Sequence, residues 1–251
     1  MAVAAFFGVF DQMLPVFQGD FAETGLYEGF TIQLTFAALS SDVVLLILPI
    51  LAAIPFTSAF LDDYKSRFIR EYLPRIGKKR YVNAKVLTTA FAGGITLFVG
   101  VILVLAVFAI LFLPMEAPAD MQEQTGYAAA AADSMTQELD ITAQLNFTEL
   151  MTRSFVFFLC GCLWSLVGGL LAAITQSKYM AYASPFVFYY VLVILSERYF
   201  KEAYVINPQE WVNPMGDWVG GTWGVALFVG ELIVIAGLVY AYVIGRRLRD
   251  V

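Results

Sequence analysis

From Val86 to Leu113 the chain carries no charged residue, and a run of that length leaves its backbone few options. Hydrocarbon offers no partner to a peptide N–H or C=O, so an apolar stretch that crosses a bilayer does so as a helix whose hydrogen bonds close internally. About 20 such residues reach across the membrane core. Four more strongly apolar segments follow, at residues 43–60, 155–175, 184–195 with their flanks, and 224–245, the last interrupted only by Glu231. A chain of 251 residues that is 60% hydrophobic and 14% charged, with mean hydropathy +0.73, lies outside the range of soluble domains. The sequence therefore reads as an all-α polytopic membrane protein with five clear spans. A sixth segment, "MAVAAFFGVF" at residues 1–10, reaches only about half-way across and reads as the outer half of a span whose beginning is missing. It lacks the basic leader of a signal peptide.

The charges orient these spans. Lys and Arg near span ends mark the cytoplasmic side, and the stretch "DDYKSRFIREYLPRIGKKRYVNAK" at residues 62–85 holds eight of the 15 basic residues beside three acids. That segment is expected inside. Residues 11–42 carry five acids and no base, and residues 114–150 seven acids and no base, so both are expected outside. A tight inner turn at residues 176–179 and a tail, "GRRLRDV", with three arginines complete the alternation and put the C-terminus in the cytoplasm. Arg153, Arg198 and Lys201 are the exceptions on the outer side.

Orientation accounts for part of the 62–85 charge but not for its internal order. Leu61, Tyr64, Phe68 and Tyr72 recur at helical spacing, Ile69 and Leu73 widen the same apolar face, and Asp62 and Asp63 stand where a helix start favours negative charge. Pro74 is expected to end this helix, and "RIGKKRYVNAK" to form a basic turn before the next span. An amphipathic helix between two spans needs something to cover its apolar face: headgroups, the chain's own spans or a partner protein. Outside, residues 119–140 are rich in helix formers, and Asn146 with Glu149 reads as a capping box. "NPQEWVNPMGDWVGGTW" at residues 207–223 suits either a re-entrant element with indoles at headgroup depth or an exposed loop.

Taken in order, the aspartate pair, amphipathic helix, basic turn, aromatic and lysine of residues 62–85 resemble the first cytoplasmic loop of the type-2 family of ABC exporter permeases. From residue 43 onward the plan of spans and loops is similar to that family. The resemblance implies a six-helix permease domain. The chain departs from it at the N-terminus, where the family has an amphipathic elbow and a full first span but residues 1–14 offer only an incomplete one, followed by an outer segment at 15–42. Spans follow at 43–61, 86–113, 151–175, 180–197 and 223–245. Between them lie a cytoplasmic coupling loop at 62–85, an outer loop at 114–150 and an outer re-entrant segment at 198–222, with a cytoplasmic tail at 246–251. It further implies a bacterial plasma membrane, a second permease subunit, and a separate ATPase that binds ATP and magnesium. Asp62, Asp63, Tyr64, Phe68, Ile69, Tyr72 and Leu73 would meet that ATPase. The cargo would be amphipathic: a drug, peptide or lipid-like molecule. No nucleic-acid partner is expected.

Little else in the sequence carries chemistry. Gly77-Lys78 lacks the remainder of a phosphate loop, so nucleotide hydrolysis and any cofactor are expected on the partner and not on this chain. There are no histidines. Cys160 and Cys162 point in different directions on one helix and read as packing residues. Gly161, Gly168, Gly169, Gly230 and Gly237 suit close helix contacts, either within the chain or at a permease dimer seam. Glu231 is the one acid well inside a span, a candidate for a translocation path or gate, or else a carboxyl that steadies the bundle. A membrane-embedded lipid-modifying enzyme would need more polar groups within the spans than Glu231 alone. A non-transporting accessory subunit would share the same loop pattern.

The loop charges yield a direct topological prediction. In a background lacking Cys160 and Cys162, an impermeant thiol reagent added outside should modify Ser134→Cys and spare Ser66→Cys, and the opposite labelling would reverse the assigned orientation.

Overall fold

The computed structural model describes residues 35, 38–39, 41–66, 68–111, 147–199, 206–212 and 221–249. Among them are seven helices and no strand: α1 (Asp42–Ala53), α2 (Ala59–Lys65), α3 (Phe68–Ile76), α4 (Lys78–Leu111), α5 (Phe147–Thr175), α6 (Lys178–Tyr199) and α7 (Gly221–Arg247). Four of these, α4 to α7, are long and apolar enough to cross a membrane. The described part of the chain is therefore all-helical and suited to multiple membrane passes. The expected stub at 1–10 and the outer segments at 11–34 and 112–146 lie outside the described residues.

The span expected at 43–61 is shorter than its apolar run. The helix ends at Ala53, and Ile54 to Ser58 form a turn containing Pro55 before α2 begins. Twelve residues at 1.5 Å each give about 18 Å, short of the roughly 30 Å hydrocarbon core. At the other extreme α4 has 34 residues, about 51 Å, because it begins at Lys78. The expected basic turn is thus the first two turns of the span helix itself, carried beyond the apolar run.

The amphipathic helix expected over 62–73 is two helices. The chain breaks after Lys65, with Ser66 outside the helix and its hydroxyl donating to the Asp63 carbonyl at 3.1 Å. Pro74 does not end α3, which runs through it to Ile76. The stop is Gly77, at φ +84°, whose N–H donates to the Leu73 carbonyl at 3.0 Å. This is the left-handed cap that glycine adopts without a steric penalty. The Gly77 carbonyl then accepts the Tyr81 N–H at 3.2 Å, so one residue closes α3 and opens α4.

At the centre stands α5, which touches α1, α2, α4, α6 and α7. Its closest approach is to α4: a methyl group built on Gly161 would lie 2.5 Å from the Gly93 carbonyl oxygen, and one on Gly93 would lie 2.4 Å from Ser165 Cβ. Only glycine permits such backbone contact, a common device where no hydrophobic drive favours helix association over lipid. Beside it, Ser165 Oγ donates to the Thr89 carbonyl at 2.8 Å and lies 3.5 Å from Thr57 Oγ1, all three residues being buried. Gly168 admits the Ala181 carbonyl of α6 in the same way. Cys160 and Cys162 are buried free thiols, as their packing role requires. Gly169 faces Tyr240 and Gly237 touches Val86 loosely, whereas Gly230 has open space beside it.

Away from the basic end, Trp211 stacks on Trp164 at 6.4 Å and meets Phe228 at 5.9 Å. Trp164 lies 11 residues, about 16 Å, from the C-terminal end of α5, so residues 206–212 dip into the bundle. With Trp211 only 3% exposed, residues 206–212 are packed into the helical bundle and do not form a free exposed loop.

These contacts predict opposite outcomes for two similar substitutions. Gly161→Ala must push α4 and α5 apart and should lower stability by about 1–3 kcal/mol, the usual range for overpacking. Gly230→Ala should leave it unchanged or slightly raised. Thermal unfolding in detergent measures both.

Candidate functional site

The basic segments at 62–85, 176–179 and 246–249 meet at one end of the bundle, where their polar side chains join helices to one another. The site is built on α2, whose adjacent acids Asp62 and Asp63 project about 100° apart around the helix axis and so address different neighbours. Asp63 faces α4, accepting a hydrogen bond from Tyr81 Oη at 2.8 Å and pairing with Lys85 Nζ at 2.7 Å. Tyr81 and Lys85 are four apart on α4, one turn of one face. The ammonium of Lys85 also lies 5.9 Å from the Tyr81 ring centroid.

Asp62 faces α6. Its carboxylate pairs with Lys178 and accepts a hydrogen bond from Ser58 Oγ at 3.0 Å, and Tyr182 Oη donates to that Ser58 hydroxyl at 3.3 Å. Again two residues four apart on one helix, here Lys178 and Tyr182, reach the start of α2, where they meet Asp62 and its N-cap residue Ser58. The hydrogen bond from Lys178 is the largest influence holding the Asp62 carboxyl below its ordinary range; desolvation, the next largest, opposes it, and the Ser58 hydroxyl and the charges of Lys178 and Lys65 add to the lowering. The two linkages differ in shielding. Asp63 and Lys85 side chains are 25% and 21% exposed, whereas Asp62 and Lys178 are 45% and 54% exposed, so solvent and salt weaken the second pair more.

The remaining residues of the expected coupling face part company. Ile69 is 1% exposed, buried with Phe60, Tyr81, Val82 and Leu166 in a cluster between α3, α4 and α5. It is a core residue and not part of an outward docking face, because the break after Lys65 turns this face of α3 toward the spans. Tyr64 and Leu73 are half-buried against the same cluster. Phe68 and Tyr72 lie on α3, with side chains outside the described residues. Glu71, Pro74 and Arg75 are exposed.

Glu231 is exposed on α7 amid Leu227, Val234 and Ile235, and it forms no ion pair among the described residues. No group of three or more metal-ligating side chains occurs among the described residues. Sequence reasoning singled out Asp62 and Asp63 but missed Ser58, Tyr81, Lys85, Lys178 and Tyr182; their i, i+4 spacing was the available signal. Comparison with protein-family models, with characterised proteins and with solved structures found no match.

The two linkages make separable predictions. Tyr81→Phe removes a donor to a shielded carboxylate and should lower stability by about 1–2 kcal/mol in thermal unfolding. Because the Asp62 carboxyl is depressed on folding, its contribution is complete above the ordinary value of 3.8 and is lost as pH falls through the folded-state value. Wild type should therefore lose more stability than Asp62→Asn on acidification below about pH 4. Parallel pH profiles would contradict the assigned linkage.

Proposed function

We propose that this chain is the membrane-spanning permease subunit of an ABC exporter, moving an amphipathic drug, peptide or lipid-like molecule out of the cytoplasm or inner leaflet. ATP and magnesium would act on a separate ATPase subunit, and a second permease subunit would complete the path. The observation that supports this reading is the double fastening of the α2–α3 pair, by Asp63 to α4 and by Asp62 to α6. A helix pair tied to two spans passes a displacement to both. That is what a coupling element driven by an ATPase requires, whereas a purely topogenic loop needs only its positive charge.

Ile69, Tyr64 and Leu73 would anchor the pair from within, and Phe68 and Tyr72 would engage the ATPase. Glu231 fits the same scheme. A carboxyl on the exposed face of α7 is costly against lipid, so it suits a wet path or a polar partner between two permease copies.

Co-purification with the ATPase tests the proposal. Phe68→Ala with Tyr72→Ala should weaken association by about 2 kcal/mol or more, as truncation of interface anchors commonly does. Lys78→Ala with Lys79→Ala should largely preserve it, each charge contributing under about 1 kcal/mol. An intact complex with the aromatic pair removed would withdraw the coupling role.

A further inference from the structure

We propose that the cleft between the basic ends of α5 and α7 binds the phosphate headgroup of an anionic phospholipid. Arg247 Nη2 donates to the Ile174 carbonyl at 2.9 Å, tying the C-terminal end of α5 to that of α7 and satisfying one of the carbonyls a helix end leaves free. Against this tie lies a cleft of about 350 Å³ lined by Ile174, Tyr242, Val243, Arg246 and Arg247. Its size falls within the roughly 300–1,000 Å³ of small-ligand sites.

The lining sets the ligand's chemistry. Two guanidiniums and a phenol offer hydrogen-bond donors, no carboxylate lines the cleft among the described residues, and Arg247 spends only part of its donor fork on Ile174. Such a set recognises a phosphate oxyanion, which guanidinium binds in a planar, bidentate manner. A lipid is favoured over free phosphate by the walls and by what adjoins them. Ile174 and Val243 are apolar, and Tyr242 and Arg246 continue a line of side chains through Ile235, Leu238 and Val239, all exposed on α7. Acyl chains can lie along that strip while the headgroup sits between the arginines, at the depth where spans meet headgroups. Basic pockets between spans are known to hold anionic lipids in this way.

The inference needs only the membrane-spanning reading of α5 and α7 and stands or falls separately from the permease role. The full chain, delipidated in neutral detergent, is titrated with phosphatidylglycerol or phosphatidylcholine and followed by native mass spectrometry, with thermal midpoints in parallel. Phosphatidylglycerol should bind more tightly than phosphatidylcholine. Arg246→Gln should lower its affinity roughly fivefold, the effect of one basic group near an anionic headgroup. Arg246→Lys, which keeps the charge but not the bidentate fork, should fall between wild type and Arg246→Gln, and Lys79→Gln, at the same end of the bundle but outside the cleft, should retain all of the affinity. Arg246→Gln decides the matter should Arg247→Gln fail to fold. Equal binding of the two lipids, or equal loss in Arg246→Gln and Lys79→Gln, would overturn the site. A thermal midpoint raised as far by millimolar inorganic phosphate alone would overturn the lipid assignment.

Discussion

The backbone contact between Gly93 and Gly161 sets the spacing on which the rest of the bundle depends. A single methyl group at either position would occupy space already filled, so α4 and α5 approach as closely as helices can. Because lipid solvates an apolar side chain as well as another helix does, such shape-driven contact, with the buried Ser165–Thr89 hydrogen bond beside it, supplies much of what holds spans together. Gly168 repeats the device toward α6, where it meets the Ala181 carbonyl and Pro185. With α5 in the middle, the distances among α4, α6 and α7 are set by one helix.

Consequences appear at the basic end. Since α5 packs against both α4 and α6, it fixes the gap between Lys85 and Lys178 that α2 occupies. Two neighbouring aspartates on a short helix can bridge that gap, one to each side, where a single carboxylate could address only one neighbour. The buried Ile69 adds an apolar anchor from α3. A surface ion pair by itself stabilises little. Here its worth lies in orientation: the α2–α3 pair is joined to two spans, and a force applied to it reaches both.

Much of this was legible in the sequence, and the exceptions have physical causes. Predominantly apolar runs near 20 residues located α4 to α7, because backbone satisfaction in lipid allows no other form. The same rule overestimated the span at 43–61, since Pro55 follows an apolar helix of only 12 residues and composition does not register a turn made of apolar residues. Periodicity found the amphipathic face of 62–73 but not the break after Lys65, and it credited Pro74 with the stop that Gly77 makes. Asp62 and Asp63 were visible as a pair at a helix start, but their partners lie on other helices, up to 116 residues away, and only packing brings them together. Glu231 was visible as an intramembrane acid, whereas the face of α7 it occupies depends on how that helix rolls against α5.

The central claim is that the two aspartates hold α2 and α3 against the spans. Amide hydrogen exchange over residues 59–76, compared between wild type and the Asp62→Asn/Asp63→Asn variant, tests it most directly. The account predicts faster exchange throughout α2 and α3 in the variant, with the α5 core around Gly161 unchanged. Exchange over 59–76 as slow as in wild type would contradict it, and would leave Ile69 and its apolar cluster as the whole of what keeps the helix pair in place.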